Sequence, residues 1–444
     1  MKRGLTYIPK KRKVNYKIVV PFVLVLLLAL PYLISKFEPA VDPKDQTYTF
    51  CGFSTRESDE ILEKSQKEAS KLETVEVRDY GIYGETLNIY HEKYAPGNID
   101  LFSGNTIFLK NLCQTSIEEK QPFLLSNKLD VGIDIMTLAD GLYELEVLSD
   151  FKFKRLETES PIDDTFYSAK RGDVIKEIRI LSDKDVFNKN RIEDKAFKNY
   201  LYFEVTTTED NDDIDVVINP ARMTTNDNGT IDYGHYYNDL EEATETYNMA
   251  VKIKKELEKH GVRVAILRDN ETPSNNYSSN GRLKKAYDMN AKYMINLRFE
   301  SSGSQMDHGV VALYSNFVSN RFAANVTKKL VDETSLTPSP YSEGSNATGV
   351  FETGMVQGLD LNDIIRESGG SLTGAGTLNE FSELTSFAKD YNRGINTIDL
   401  LYGYMTHPND SKTWIEENDL IAEKTAQGIL VQLGLFKSGE DSDN

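Results

Sequence analysis

Short segments in which apolar and polar residues alternate dominate the chain between residues 75 and 206. In the segment 141–147, for example, Tyr143, Leu145 and Val147 fall on one face of a strand. Several such segments, rich in β-branched and aromatic residues and separated by turns, predict a small all-β, sandwich-like domain over 75–206. The domain contains no cluster of catalytic residue types, so we interpret it as a spacer or a binding module.

The apolar period changes at about residue 214, where strand-like and helix-like segments begin to alternate. A buried helical stripe runs through Ala243, Tyr247, Ala250, Ile253 and Leu257. Further strands are predicted at 262–267, 293–297, 310–314 and 396–402. This alternation predicts an α/β domain with a mostly parallel central sheet and helices on both faces.

The first strand of this domain, within residues 215–222 (DVVINPAR), is a β-branched run that ends at a proline turn. Ligands of open α/β sheets bind at the carboxyl ends of such strands. The chemistry of the domain is therefore expected near Arg222.

The N-terminus differs from the rest of the chain. Residues 1–17 carry seven Lys and Arg residues and no acid, and an uncharged apolar run follows. We predict a basic cytoplasmic tail over 1–17 and a transmembrane anchor over 18–35, with the bulk of the chain outside the cytoplasm. A cleavable signal peptide is the alternative, but Glu38-Pro39-Ala40 is a poor match to an Ala-x-Ala cleavage site.

Composition and charge narrow the range of partners. The 444 residues are 39% hydrophobic and 27% charged, as in an ordinary globular protein, and the formal net charge is −19. Without the seven cations of the tail the remainder carries a still larger negative charge, which argues against nucleic acid as a partner. Cys51 and Cys113 are either a disulfide outside the cytoplasm or two separate thiols.

Three connecting segments complete the predicted organisation. Residues 36–74 form a linker with a helix over 57–73, residues 207–213 (TTEDNDD) form an acidic linker, and residues 438–444 form a disordered tail.

Several motifs follow one another in order along residues 214–437. They are Asn219-Pro220-Ala221-Arg222, Glu242 eight residues before Ala250, Val264-Ala265-Ile266-Leu267-Arg268, Arg282 with Ala286, the segment 291–300 (AKYMINLRFE), the segment 309–314 (GVVALY), Arg366-Glu367-Ser368-Gly369-Gly370, and Leu401-Tyr402-Gly403-Tyr404. In this order they resemble the zinc-dependent N-acetylmuramoyl-L-alanine amidases of bacterial cell walls. The resemblance implies an amidase-like fold for 214–437 and a place in the bacterial cell envelope.

The same resemblance identifies the positions of the zinc ligands and the catalytic glutamate. The family binds zinc through His, Glu and His, and these positions carry Arg222, Glu242 and Arg298 here. The family's catalytic Glu position carries Leu401. Arginine has no lone pair to offer a metal and leucine accepts no proton, so we expect no bound zinc and no catalytic residue.

An Arg222–Glu242–Arg298 ion cluster would replace the charge of the zinc ion. The alternative is two arginines that project independently into a wet cleft. Asn219, His235, Arg366 and Glu367 are further candidates to line the cleft. Of the five histidines, His235 lies seven residues before Glu242 in a loop that could reach the cleft, and a His235–Glu242 pair offers too few ligands for a rewired metal site.

Three functional hypotheses follow from these assignments. The first is a single-pass protein of the bacterial cell membrane whose amidase-like domain is inactive and binds peptidoglycan or a cell-wall protein. The second is an active peptidoglycan amidase with a rewired site that uses Glu367. The third is a structural ectodomain in which the β domain does the binding.

Overall fold

The computed structural model describes residues 48–92, 99–114, 119–158, 166–187, 198–209, 212–342, 348–356, 359–370 and 393–436. The predicted basic tail 1–17, membrane anchor 18–35 and C-terminal tail 438–444 lie outside these ranges. Within the ranges, no helix has the length and apolarity needed to cross a membrane.

The N-terminal part of the described chain, which we call the β-module (residues 55–208), consists of strands with one long helix. Its elements are α1 (Thr55–Ala69), β1 (Glu73–Val77), β2 (Asp79–Tyr83), β3 (Thr86–Tyr90), β4 (Thr106–Asn111), β5 (Lys120–Leu124), β6 (Ile133–Asp134), β7 (Gly141–Ser149), β8 (Lys152–Thr158), β9 (Phe166–Arg171), β10 (Val174–Ser182), α2 (Asp183–Val186) and β11 (Leu201–Thr208). One sheet has the order β1-β8-β7-β11-β10-β9, with β4 paired to β7 and to β5. Strands β2, β3 and β6 belong to a second sheet, and apolar side chains of both sheets share one core.

Strand β7 shows why this sheet is stable. Tyr143, Leu145 and Val147 lie together in the apolar core, which confirms the predicted face. On the opposite face Glu144 is also buried, because helix α1 covers it. The Glu144 carboxylate accepts a hydrogen bond of 2.5 Å from the Ser65 hydroxyl of α1 and lies 3.0 Å from the Lys110 ammonium group of β4. A buried carboxylate is tolerated only with such partners.

Cys51 and Cys113 form a disulfide, with their Cα atoms 5.8 Å apart. The bond ties the segment before α1 to the residues that follow β4. It decides between the two states that the sequence left open.

The predicted acidic linker 207–213 is only partly a linker, which corrects that assignment. Strand β11 extends through Thr208, so its first two residues are part of the sheet. Asp213 is fixed by hydrogen bonds of 2.8 Å from Ser168 and 2.6 Å from Asn290.

The second part, which we call the α/β domain (residues 216–432), has a central sheet and helices. Its elements are β12 (Val216–Pro220), β13 (Thr224–Thr225), β14 (Ile231–Asp232), β15 (Tyr236–Tyr237), β16 (Leu240–Glu241), α3 (Glu242–Glu258), β17 (Val264–Ile266), α4 (Arg282–Asp288), β18 (Tyr293–Glu300), β19 (Val311–Tyr314), α5 (Arg321–Glu333), β20 (Val350–Glu352), β21 (Met355–Val356), β22 (Leu359–Asp360), α6 (Asp363–Ile365), a π-helix (Arg366–Gly370), β23 (Arg393–Gly394), β24 (Asn396–Tyr404), α7 (Pro408–Glu416) and α8 (Asn418–Gln432).

The central sheet has the order β17-β12-β18-β24-β19-β20 and is mixed, which corrects the prediction of a mostly parallel sheet. Strands β17, β12, β18 and β24 run in one direction, while β19 is antiparallel to β24 and parallel to β20. The reason lies in the connection 301–310 between β18 and β19, which contains no helix. A parallel return needs a crossover of a dozen or more residues, whereas a short loop reverses the direction of the chain.

Helices cover both faces of this sheet because its inner strands are apolar on both sides. Val216 and Ile218 of β12 pack in a core that includes residues of α3, α5 and α8. Val217, between them, points to the other face and packs in a core with Leu283 and Ala286 of α4. This two-sided burial is typical of the inner strands of an α/β sheet.

The β-module and the α/β domain share a sheet. Strand β23 pairs in parallel with β2, where Ile82 is in register with Arg393 and Tyr83 with Gly394. The side chains of Tyr83 and Tyr90 lie in the main core of the α/β domain. The described residues from 49 onward therefore form one compact unit.

Buried charges line the boundary between the two parts. Asp215, just before β12, accepts a hydrogen bond of 2.7 Å from the backbone N–H of Arg263. Burial raises the pKa of Asp215 to about 6 and lowers that of Lys292 to about 7. The Lys292 ammonium group lies 3.5 Å from the Asp213 carboxylate.

Removal of the disulfide is expected to destabilise the protein. The Cys51→Ala/Cys113→Ala variant should lose about 2–4 kcal/mol of unfolding free energy, because the unfolded chain regains the entropy of a loop of 62 residues. Denaturant unfolding of the oxidised protein and the variant measures the loss. A reducing agent should lower the stability of the wild type only, and equal stability of all samples would contradict the assigned bond.

Asp215 is expected to make stability depend on pH. Its pKa in the folded protein, about 6, exceeds the ordinary value of 3.8. The folded state therefore holds the proton more tightly, and this contribution is present below about pH 4 and lost as the pH rises through 6. The unfolding free energy of the wild type minus that of Asp215→Asn should therefore decrease by about 2–3 kcal/mol as the pH rises from about 4 to above 6.

Asp269 provides a control for this pH dependence. Hydrogen bonds from the backbone of Thr272 and Glu271 lower its pKa. The unfolding free energy of the wild type minus that of Asp269→Asn should therefore increase as the pH rises. Parallel profiles for wild type and Asp215→Asn would refute the assignment to Asp215.

Candidate functional site

The turn after β12 carries the candidate residue Arg222 out of the sheet. Arg222 and Met223 adopt left-handed backbone conformations, with φ of 64° and 54°. Non-glycine residues in this region are uncommon, and strained backbone of this kind persists only where surrounding contacts hold it.

Two buried arginines supply these contacts. Arg282, the first residue of α4, donates to the carbonyl oxygens of Pro220 at 2.8 Å and Met223 at 3.0 Å, and also to that of Arg222. Arg268, just after β17, donates to Pro220 at 3.1 Å and Ala221 at 2.8 Å. Burial lowers the pKa of Arg268 to about 10 and that of Arg282 to about 9, so both are still cationic at neutral pH.

The Arg222 guanidinium group forms an ion pair with Glu242, with Nε 2.7 Å from Oε2. Glu242 is the first residue of α3 and its side chain is fully buried. Its Oε2 atom also accepts a hydrogen bond of 3.3 Å from the backbone N–H of His235. Its Oε1 atom has no hydrogen-bond partner among the described residues.

A cover loop, which we define as residues 232–241, lies directly over this ion pair. Gly234 has a φ of 80°, and a Cβ atom on it would stand 2.4 Å from Glu242 Oε2 and 2.5 Å from Arg222 Cγ. The Nδ1 atom of the His235 ring lies 2.7 Å from the Ser301 hydroxyl. The loop exposes Tyr233 and Tyr236 to solvent.

Arg298 has different partners from those predicted. Its guanidinium group lies 2.8 Å from the Asp399 carboxylate and also pairs with Glu300. The Asp399 charge is the main cause of a raised pKa of Arg298, and Glu242 acts in the same direction. Of the predicted Arg222–Glu242–Arg298 cluster, the structure contains the direct contact Arg222–Glu242. Arg298 pairs with Asp399 and Glu300 instead.

A row of polar side chains crosses the three central strands beside these residues. Asn219, Asn296 and Asp399 are in register on β12, β18 and β24. Asn219 donates to Asn296 at 2.8 Å, and Asn296 donates to Asp399 at 2.6 Å. The row ends on Asp399, which also accepts a hydrogen bond of 2.8 Å from Asn362.

Asp399 is the main site residue that the sequence analysis missed. It is only 2% exposed and accepts from three side chains. The available signal was a carboxylate inside the otherwise apolar run Ile398-Asp399-Leu400-Leu401. Leu401, two residues further on, is buried in register with Arg298.

Residues 216–431 match the family model described as N-acetylmuramoyl-L-alanine amidase. No curated protein matches the chain. Among solved structures, the chain is similar to the catalytic domain of the amidase CwlV of Bacillus (Paenibacillus) polymyxa, with 20% identity over 50% of this chain and 99% of that one, and a TM-score of 0.35.

Two further solved structures are similar to this chain. The amidase Ami1 of Mycobacterium smegmatis is 16% identical over 51% of this chain and 99% of that one, with a TM-score of 0.35. The CwlD amidase of Clostridioides difficile, solved in complex with the GerS lipoprotein, is 15% identical over 50% of this chain and 100% of that one, with a TM-score of 0.34.

Arg366 and Glu367 lie in the π-helix of the α/β domain. Arg366 contacts Glu367 at 3.1 Å and the Asp360 carbonyl oxygen at 3.1 Å. Burial raises the pKa of Glu367, whose Oε2 atom has no hydrogen-bond partner among the described residues. The hydrogen bonds described for these two side chains do not reach Arg222, Glu242 or Arg298.

Gly234→Ala is expected to disturb the ion pair. The new Cβ would collide with Glu242 and Arg222 in a left-handed backbone, so we expect a loss of about 2–4 kcal/mol of unfolding free energy. Gly229→Ala is the matched control, because Gly229 has a φ of 81° but no atom within 4 Å of its Cβ position. It should cost about 1–2 kcal/mol. Equal losses in the two variants would contradict the described packing of the cover loop.

Proposed function

We propose that the protein is an extracytoplasmic, membrane-anchored protein whose amidase-like domain binds peptidoglycan or a cell-wall protein without hydrolysing it. The observation that carries the proposal is the 2.7 Å ion pair between Arg222 and the fully buried Glu242. The family match of residues 216–431 supports peptidoglycan as the chemical context.

The residues at the site do not fit a catalytic zinc ion. Such an ion needs about three neutral or anionic ligands and an open position for water. At the positions that correspond to the ligands, Arg222 and Arg298 are cations without a lone pair, and Glu242 already has a cationic partner. The buried side chain of Leu401 offers no base at the position of the catalytic glutamate.

The same residues are suited to bind an anionic or amphipathic ligand. The side chains of Arg222 and Arg298 are 30% and 28% exposed, so each combines a fixed internal partner with a solvent-facing edge. Arginine binds carboxylates in a bidentate manner, and carboxylates are present in the peptides of a cell wall. The exposed Tyr233 and Tyr236 supply flat apolar faces in the cover loop that packs on Arg222 and Glu242.

The predicted anchor 18–35 and basic tail 1–17 support an attachment to the cell membrane with the amidase-like domain outside. The Cys51–Cys113 disulfide supports the same location, because such bonds persist in oxidising compartments. The location remains part of the proposal.

An active amidase with a rewired site is the second candidate. The observation in its favour is Glu367, a buried carboxyl group with a raised pKa, as a general acid or base requires. Against it stands the absence of a described contact from Glu367 to Glu242 or to Arg298. The two candidates differ in zinc content and in hydrolysis.

Binding to purified peptidoglycan sacculi tests the first candidate. The full chain should sediment with sacculi, and Arg222→Gln/Glu242→Gln, which removes both charges of the pair, should weaken binding about tenfold through the loss of a charge-assisted contact. Arg56→Gln, which removes an arginine of α1 that is 80% exposed, should bind like the wild type. No sedimentation of a folded wild-type chain would refute binding to the sacculus.

Zinc content and hydrolysis separate the two candidates. We expect the purified chain to carry no stoichiometric zinc and to release no peptide from sacculi. One zinc ion per chain, together with hydrolysis that is lost in Glu242→Ala, would overturn the proposal in favour of an active amidase.

A further inference from the structure

A cavity of about 320 Å³ lies between the β-module and the α/β domain, and it shares no lining residue with the candidate functional site. Glu85, Asp134 and Arg171 line it from the β-module. Tyr293, Arg321 and Gln432 line it from the α/β domain. Its volume is at the lower end of the range of small-molecule sites, roughly 300–1,000 Å³.

Two buried polar atoms in the lining have no partner among the described residues. They are Oε1 of Glu85, which is 2% exposed, and Nε2 of Gln432, which is 8% exposed. A buried polar atom without a hydrogen bond costs free energy, so an unpaired acceptor and an unpaired donor in one cavity need an explanation.

Both side chains are fixed by their other polar atoms. Oε2 of Glu85 accepts hydrogen bonds of 2.7 Å from Arg171 and 3.2 Å from Tyr293. Oε1 of Gln432 accepts a hydrogen bond of 3.0 Å from Asn325. The free atoms are thus presented by oriented side chains, which is the condition for a preorganised binding site.

The charges of the lining are divided between its two sides. On the β-module side, the carboxylates of Glu85, Asp130 and Asp134 line the cavity with a single cation, Arg171, which pairs with Glu85 and lies 3.3 Å from Asp134. This side therefore carries an excess of negative charge. On the α/β side, the exposed Arg321 brings a positive charge that acts on Tyr293. A ligand that matches this division carries a cation at one end and an anion at the other.

We propose that the cavity binds a small zwitterionic amino acid. The ammonium group donates to Glu85 Oε1, and the carboxylate accepts from Gln432 Nε2 and from Arg321. The apolar side chains of Leu124, Val131 and Val431 also line the cavity and favour a short aliphatic side chain. A metal ion fits less well, because the amide nitrogen of Gln432 and the guanidinium group of Arg321 offer it no lone pair.

Such a ligand would bridge the two parts of the protein. Its ammonium group would rest on the β-module and its carboxylate on α5 and α8 of the α/β domain. A molecule that binds only the assembled cavity stabilises the folded chain by mass action.

Isothermal titration of the full chain tests the site with L-alanine and D-alanine as probes. Ethylamine and propionate, which carry only one of the two charged groups, are the comparison ligands. Burial raises the pKa of Glu85 to about 7, so titration at pH 8 keeps its carboxylate charged. We expect at least one alanine enantiomer to bind at least tenfold more tightly than ethylamine and propionate.

Three substitutions locate the binding. Glu85→Gln retains the shape of the side chain but removes its charge, Gln432→Glu replaces the donor with a carboxylate, and Arg321→Gln removes an exposed cation. Each should weaken alanine binding at least tenfold. Lys328→Gln, on the same helix as Arg321 and 78% exposed, should leave it unchanged.

The proposal fails if neither alanine enantiomer binds at millimolar concentration, if ethylamine or propionate binds as well as alanine, or if Arg321→Gln binds like the wild type. Arg321→Gln keeps the test valid even where a substitution of the buried Glu85 prevents folding. Binding of alanine that persists in Arg222→Gln/Glu242→Gln would separate this site from the proposed function.

Discussion

Two buried guanidinium groups hold the turn on which the site depends. The carbonyl oxygens of residues 220–223 lie at and just beyond the end of β12, and Arg268 and Arg282 donate to them from two different segments. Buried carbonyl oxygens without donors would cost about 1–3 kcal/mol each. The two arginines therefore keep the backbone of Arg222 and Met223 in a conformation that the chain would not adopt on its own.

The position of Arg222 in turn determines the state of Glu242. A fully buried carboxylate is unstable unless a cation or several donors reach it. Arg222 provides the cation and the cover loop provides the backbone donor of His235. The cover loop can approach so closely only because Gly234 has no side chain. Turn, ion pair and loop thus form a chain of contacts in which each member requires the one before it.

Local patterns identified several of the strands and helices, and the family resemblance predicted one contact of the site. The alternation in β7 and the apolar run of β12 identified strands whose burial the structure confirms. The resemblance placed Arg222 and Glu242 in one site, and they are in contact. Asp399 was missed because its partners Asn296 and Asn362 depend on strand register and on a distant loop.

Local patterns could not predict the mixed sheet or the pairing of β2 with β23, for the same physical reason. Strand direction and strand partners are set by contacts between segments that are far apart along the chain, whereas apolar periodicity reports only which face of a segment is buried. Within the predicted linker 207–213, Asp213 is held by such a distant contact, the hydrogen bond from Asn290.

The pairing of β2 with β23 has a consequence for biosynthesis. The Tyr83 hydroxyl accepts a hydrogen bond from the backbone of Thr397, 314 positions later in the chain. The sheet that contains β2 is complete only after β23 has been made. A chain that elongates at about 5–20 residues per second would leave this edge of the β-module open for roughly 15–60 seconds. An open strand edge invites wrong pairing, so the nascent N-terminal half has to be protected until the last strands arrive.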